Sequence, residues 1–214
     1  MTAALTKGER SRAKLVTATA ELLRRQGYHA TGLSEIVAES GAPRGSLYFY
    51  FPGGKDELAC AALDASGVEW RQRIAAAVEG AADLGAAIDA IVTLLADDLE
   101  ASGYQHGCPA AAVALEATSE PVRETVAAHY AAWEAAIADR LVTFGIARPV
   151  GKQLATVALA SIEGALLLAK VSRSRAPLVT IGAALRAMAA MMQAPRRKRR
   201  PARARSTPPD RPSS

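Results

Sequence analysis

The 214-residue chain is half apolar and carries 26 Lys and Arg against 21 Asp and Glu, a formal net charge of +5 with an isoelectric point near 9.5. That length holds one large domain, or a small one joined to a larger one. Cys60 and Cys108 stand far apart in no CxxC or zinc spacing, so neither a disulfide framework nor a metal site is implied. The polar start MTAALTKGERSRAK has no apolar core of signal-peptide type, so the expected compartment is the reduced cytoplasm.

The charge is unevenly spread. Residues 1–55 hold eight Lys and Arg against four acids, residues 56–194 ten against sixteen, and residues 195–214 eight against one. A basic front, an acidic body and a basic tail place nucleic acid at the front of the molecule. Apolar residues recur three and four apart almost throughout and strand signals are missing, so the fold class is expected to be all-α.

A first helix is expected from about Lys7 to Gln26, with Leu15, Ala18, Leu22 and Leu23 on its apolar stripe and Gly27 closing it. The second turns Leu33, Ile36 and Val37 inward. Gly41-Ala42-Pro43 forms a turn, Pro43 suiting the start of a third helix over Arg44 to Phe51, which Pro52-Gly53-Gly54 stops. A fourth helix, about Lys55 to Glu79, is long enough to join a small front unit to the body. Further helices are expected over Leu84 to Ser102, Pro109 to Thr118, Pro121 to Phe144, Gly151 to Ser172 and Leu178 to Met192. The longest apolar run, residues 155–169, is interrupted by Ser161 and Glu163 and reads as too short to cross a bilayer, so no membrane partner is expected. From Pro195 onward, Arg, Pro and Ser without an apolar anchor predict a disordered tail. The expected units are 1–54, 55–194 and 195–214.

Two short helices around a tight turn are the shape of a helix-turn-helix. Packing Leu33, Ile36, Val37, Leu47 and Phe51 onto Leu15, Leu22 and Leu23 leaves Arg44, Gly45, Ser46, Tyr48 and Tyr50 for the outer face. Arg can grip guanine with two hydrogen bonds, Ser and Tyr hydroxyls can donate to phosphate, and Gly45 lets the backbone approach closely. Lys55 follows two glycines at a helix start, where free N–H groups and the dipole add to its attraction for phosphate. The competing reading is a plain α-hairpin with packed tyrosines. Four consecutive aromatics, Tyr48 to Phe51, argue against it, because so short a helix cannot turn them all inward. Gly53-Gly54-Lys55 is no nucleotide loop either: the first Gly is absent, Asp56 follows the Lys and no strand precedes it.

The run Gly27-x3-Thr31-x4-Ile36-x-Ala38-x-Ser40-Gly41-x3-Gly45-x-Leu47-Tyr48-x-Tyr50-Phe51 resembles the N-terminal domain of the TetR family of bacterial transcriptional regulators. The motif covers about a quarter of the chain. One departure is the extra residue in Phe51-Pro52-Gly53-Gly54-Lys55, where the family usually places the Lys one position earlier. That form, with Gly107-Cys108-Pro109 and Glu116, resembles the subgroup containing the LmrA and YxaF repressors. The resemblance implies DNA contacts from Thr31, Ser34, Arg44, Gly45, Ser46, Tyr48, Tyr50 and Lys55, with bases read mainly by Arg44, Gly45, Ser46 and Tyr48. It further implies a helical effector-binding and dimerisation domain in the body, acting on a palindromic double-stranded operator.

Within that body the small residues Ala158, Ser161, Ala165 and Ala169, with Gly182, Leu185, Ala189 and Met192, suggest a homodimer interface of closely packed helices; an intramolecular core is the alternative. The candidate pocket residues are Trp70, Leu95, Tyr104, Cys108, Val113, Tyr130, Trp133, Ile137, Phe144 and Glu163, for a small, largely apolar effector. Glu163 reads either as a counter-charge for a cationic ligand or as a satisfied structural carboxylate. Cys108, before a helix start, is a candidate low-pKa thiol. The histidines, His29, His106 and His129, are scattered, and no nucleophile–base pair, metal cluster or cofactor loop is visible, so neither an enzyme nor a cofactor is expected. A non-sensing architectural DNA binder remains the rival reading.

Overall fold

The protein is described here by a computed structural model, which covers residues 6–116 and 119–193. The expected basic tail, 195–214, lies outside the described residues. Nine helices form the described part: α1 (Lys7–Ala30), α2 (Leu33–Ser40), α3 (Arg44–Tyr50), α4 (Gly54–Ala77), α5 (Leu84–Ala101), α6 (Pro109–Ala114), α7 (Glu120–Thr143), α8 (Arg148–Ser172) and α9 (Ala176–Gln193).

Local chemistry explains most of the boundaries. Thr6 and Glu9 form a reciprocal cap at the start of α1: the Glu9 amide donates to Thr6 Oγ1 at 3.2 Å and the Thr6 amide to Glu9 Oε2 at 2.7 Å. Asp83 caps α5 by accepting from the Ala86 amide at 2.8 Å. Gly41 ends α2 in the left-handed conformation, which the sharp turn into α3 requires. Gly27 breaks the helical path at φ 81°, ψ −174°, as its expected closing role demands, but the chain then makes one further turn, Tyr28 to Ala30. α6 stops at Ala114, short of the expected Thr118.

α1, α2 and α3 close a small front unit in which Leu15, Leu22, Leu23, Ile36, Leu47 and Phe51 are fully buried, as the apolar spacing predicts. The core does not divide at the expected boundary after residue 54. The same cluster continues through Leu58, Ala62 and Leu63 of α4, Val113 of α6, and Val122 and Val126 of α7. α4 therefore packs its first half into the front core and carries its second half into the body.

In the body, α7 packs on α4 and α8, and α9 packs on α5 and α8. At 25 residues and about 37 Å, α8 is longer than the sequence suggests, and its apolar content, mean hydropathy 1.8, would allow it to cross a membrane by length and composition alone. Its inner face is intramolecular core. Ala165 and Ala169 are buried against Val92, Leu95, Leu99 and Leu178, and a side chain at Gly182 would meet Val92 Cγ2 at 2.8 Å.

These placements correct the dimer stripe at every position but Met192, which is 41% exposed. Ala165, Ala169, Gly182 and Ala189 pack inside the chain, Ser161 is half-buried, and Ala158, Leu185, Ala189 and Met192 border an internal cavity. Small residues permit close helix approach, but here the helices approached are α5 and α7 of the same chain. The outward face of α8 is a different row: Val150, Gln153, Val157, Ala160, Gly164, Leu167 and Val171, with Leu168 beside it, stepping alternately by three and four. Leu168 is 60% and Val171 76% exposed. Val179, Ala183 and Met191 continue the exposed apolar surface on α9.

Candidate DNA-reading face and internal cavity

α3 presents its first turn to solvent. Arg44 and Gly45 are exposed and Ser46 is half-buried. Tyr48 is 55% and Phe49 77% exposed, while Leu47 and Phe51 on the same short helix are core. Ser34 is exposed on the neighbouring α2, and a shallow crevice joins it to Arg44 and Tyr48. These side chains share one edge of the front unit. Phe49 belongs to that edge too, yet spacing alone did not select it because its ring offers no hydrogen bond. It stacks edge-on against Tyr50, ring centroids 4.8 Å apart. Tyr50 lays its hydroxyl against Gly8 of α1, where any larger residue would collide with it. Arg12 of α1 lies over the Phe51 ring at 5.4 Å.

Two of the expected phosphate contacts are differently placed. Thr31 is 1% exposed, and its hydroxyl donates to the Gly27 carbonyl at 2.7 Å, so the side chain stabilises the break after α1 and faces away from solvent. That corrects the DNA contact the resemblance implied for Thr31: the Gly27 break turns the side chain inward. Lys55 stays at the surface but leans back, its Nζ 4.3 Å from the Tyr28 ring centroid and 3.4 Å from the His29 carbonyl, and burial lowers its pKa.

A second junction binds the front to the body. The Glu116 carboxylate, just beyond α6, accepts from the His29 amide at 2.6 Å and crowds Gly27. Arg24 of α1 donates to Asp98 of α5 at 2.5 Å and to the Gly107 carbonyl at 3.3 Å. Arg73 meets the other Asp98 oxygen at 2.8 Å, and the two guanidiniums lie over the Trp70 ring at 5.4 and 4.2 Å. None of these partners is adjacent in sequence.

The body encloses a cavity of about 470 Å³ among α4, α5, α7, α8 and α9, within the range of drug-sized ligand sites. Six of the ten expected pocket residues border it: Trp70, Leu95, Cys108, Trp133, Ile137 and Glu163. Four do not. Val113 is fully buried in the front-facing core and Tyr130 packs against that same cluster. Phe144 lies under Arg140 at 5.0 Å, and Tyr104 turns its hydroxyl to Glu100 at 3.0 Å. Val113 and Tyr130 face another helix, while Phe144 and Tyr104 lie just past helix ends and turn back on the helix before them. Spacing could not have found Ile88, Ile91, Leu159, Ile162 and Met188, which also line the cavity, because ordinary core helices carry the same pattern.

The polar lining is sparse. His129 is buried and bonded to Asp64 at 3.0 Å, a core histidine. The Cys108 thiol is pushed well up by burial and by the neighbouring Glu163 carboxyl, which corrects the expectation of a lowered thiol pKa: the end of α6 meets the thiol in an apolar wall. Glu163 is likewise raised by burial. Among the described residues no group of three or more His, Cys, Asp or Glu could hold a metal ion.

A helix-turn-helix reader joined through a shared core to a hollow helical body is the architecture of a DNA-binding transcriptional regulator. The comparisons agree: residues 15–62 match the family described as bacterial regulatory proteins, tetR family, and residues 85–184 match the C-terminal domain of transcriptional regulators of LmrA/YxaF type. The chain is 37% identical over 185 residues to an HTH-type transcriptional regulator of Mycobacterium tuberculosis, covering 82% of this chain and 92% of that one. It is 36% identical over 177 residues to the HTH-type transcriptional regulator LmrA of Bacillus subtilis, covering 82% and 94%. A solved regulatory protein TetR of Rhodobacter sphaeroides has the same fold at a TM-score of 0.75 and 22% identity, over 83% of this chain and 97% of that one. The chain belongs to the TetR family of bacterial transcriptional regulators. It is a regulator and not an enzyme, in keeping with every one of these relatives.

Proposed function

We propose that the protein is a cytoplasmic, ligand-responsive repressor that binds a palindromic operator as a homodimer and is released by a small, largely apolar effector. The observation that carries this reading is the double use of α4. Leu58, Ala62 and Leu63 belong to the front core, while Leu63, Ser66, Gly67, Trp70 and Ile74 border the cavity. A ligand that displaces the second half of α4 must move the first half, or strain the core around it. Coupling of about 1–3 kcal/mol changes operator affinity roughly 5- to 150-fold.

The reading assigns DNA contact to Ser34, Arg44, Gly45, Ser46, Tyr48 and Tyr50, with Lys55 at the backbone. One such helix contacts too few base pairs for useful specificity, so two copies set about 34–36 Å apart would enter successive major grooves. The outer row of α8, with its neighbours on α9, is the surface a second copy would cover. An exposed aliphatic face this long on a DNA-binding chain calls for burial against a partner. The experiment is footprinting on the DNA flanking the protein's own gene at two salt concentrations with competitor. Protection of dimer length that survives competitor supports the reading; weak binding that competitor removes favours an architectural binder.

A further inference from the structure

One carboxyl group in the body is left half-served. Glu163 lies on the inner face of α8 and borders the cavity, and its Oε2 is buried without a hydrogen-bond partner. The Cys108 thiol hydrogen-bonds the carboxyl but brings no positive charge. Cys108 and Tyr130 are both neutral, their pKa values pushed up by burial and then by Glu163 itself. Among the described residues no cation acts on Glu163: of the arginines that border the cavity, Arg24 is held by Asp98 and the Gly107 carbonyl, Arg140 by the Val78 carbonyl, and Arg71 lies on α4 beside Gly67. A buried acceptor without a donor is costly, and a site that keeps one at the edge of an empty space is suited to a donor that arrives from outside.

We propose that Glu163 is the polar anchor of the cavity and selects effectors carrying an ammonium group at one end of an otherwise apolar body. This rests on the reading of the cavity as an effector site. The rest of the lining fixes the ligand's other end. Leu159, Ile162, Ile88 and Ile91 offer hydrocarbon, and Trp70 already carries two guanidiniums on its ring, which leaves Trp133 as the indole available to a ligand. An ammonium donor forms a charge-assisted hydrogen bond with the carboxylate and neutralises it, whereas a hydroxyl supplies only the bond. An anionic head group meets repulsion from the same carboxyl.

The test is titration calorimetry of the full chain with three probes that differ only in head group: phenylhexylamine, phenylhexanol and phenylhexanoate. The amine should bind roughly 10- to 100-fold more tightly than the alcohol, and the carboxylate weakest. Glu163→Gln, which keeps the shape, should bring the amine down to the level of the alcohol. If wild-type protein binds amine and alcohol equally, or if the amine preference survives Glu163→Gln, the anchor is wrong while the cavity remains an effector site. Binding of none of the three probes overturns both readings. The comparison on wild-type protein stands even if the variant fails to fold.

Discussion

The front unit and the body are both built from helices with the same few aliphatic residue types, yet one is filled and the other hollow. Leu15, Leu22, Ile36, Leu47 and Phe51 are at most 1% exposed, and the crevice between α2 and α3 holds about 10 Å³. In the body, Leu, Ile and Trp of comparable size surround about 470 Å³. The contrast fits the work proposed for each part. A reading head keeps Arg44 and Tyr48 in register only if the helix beneath them cannot shift, and close packing resists shift. The effector site proposed for the body needs space, and beside it the core that α4, α6 and α7 share with the front is continuous.

The largest test of this contrast is truncation on either side of α4. Phe51→Ala, in the filled core, should cost about 3–5 kcal/mol. Ile162→Ala, on the cavity wall, should cost less than half as much, because the removed atoms bordered a space already present. Urea midpoints compare the two; equal losses would break the distinction.

Next comes the outer face of α8. Replacing Leu168 and Val171 by Asp should turn dimers into folded monomers in sedimentation and lower operator affinity by about 100-fold or more. Ala169→Asp, next to Leu168 in sequence but facing inward, should instead unfold the chain. Smaller in effect are the reading residues. Arg44→Ala or Tyr48→Ala should each weaken operator binding by about 1–3 kcal/mol with an unchanged melting temperature, since both side chains are exposed.

Titration sharpens the comparison further. The Glu163 carboxyl holds its proton more tightly folded than unfolded, so its contribution to stability is present at low pH and is lost as pH rises from the ordinary carboxylate range through the raised value. Glu163→Gln should flatten that fall in a series of melting temperatures, with Cys108 and Tyr130 unaffected because both are pushed upward and stay protonated there. The smallest expected effect is at Thr31. Thr31→Val should cost about 0.5–1.5 kcal/mol of stability and leave the salt dependence of DNA binding unchanged. A reduced salt slope would restore Thr31 as a phosphate contact.

The residues that carried most of the reading lie close together in the chain. Gly41 before Pro43, the Leu and Ile positions at helical spacing, and the aromatic run at Tyr48 to Phe51 specify a local object, two short helices and a turn, whose exposed side follows from its buried one. The cap formed by Thr6 and Glu9 is a signal of the same local kind, legible as Thr-x-x-Glu. In the body the same reasoning misplaced Val113, Tyr130, Tyr104 and Phe144, and it assigned Ala165 and Ala169 to an outer surface. A helix with apolar residues on more than one face, such as α8, does not declare which face meets its own chain.

The sequence by itself determined the all-helical class, the helix-turn-helix with most of its exposed residues, Thr31 and Phe49 apart, and the family, because each depends on periodicity and on contacts between residues within about one turn or loop of each other. Tertiary structure alone decided which face of α8 is inside, where the cavity lies, that Thr31 is buried, that Glu116 reaches back to His29, and that Glu163 has an oxygen without a partner. Those facts depend on which helices meet, and partners such as Arg24 and Asp98 or Glu116 and His29 are brought together only when the whole chain has folded around its shared core.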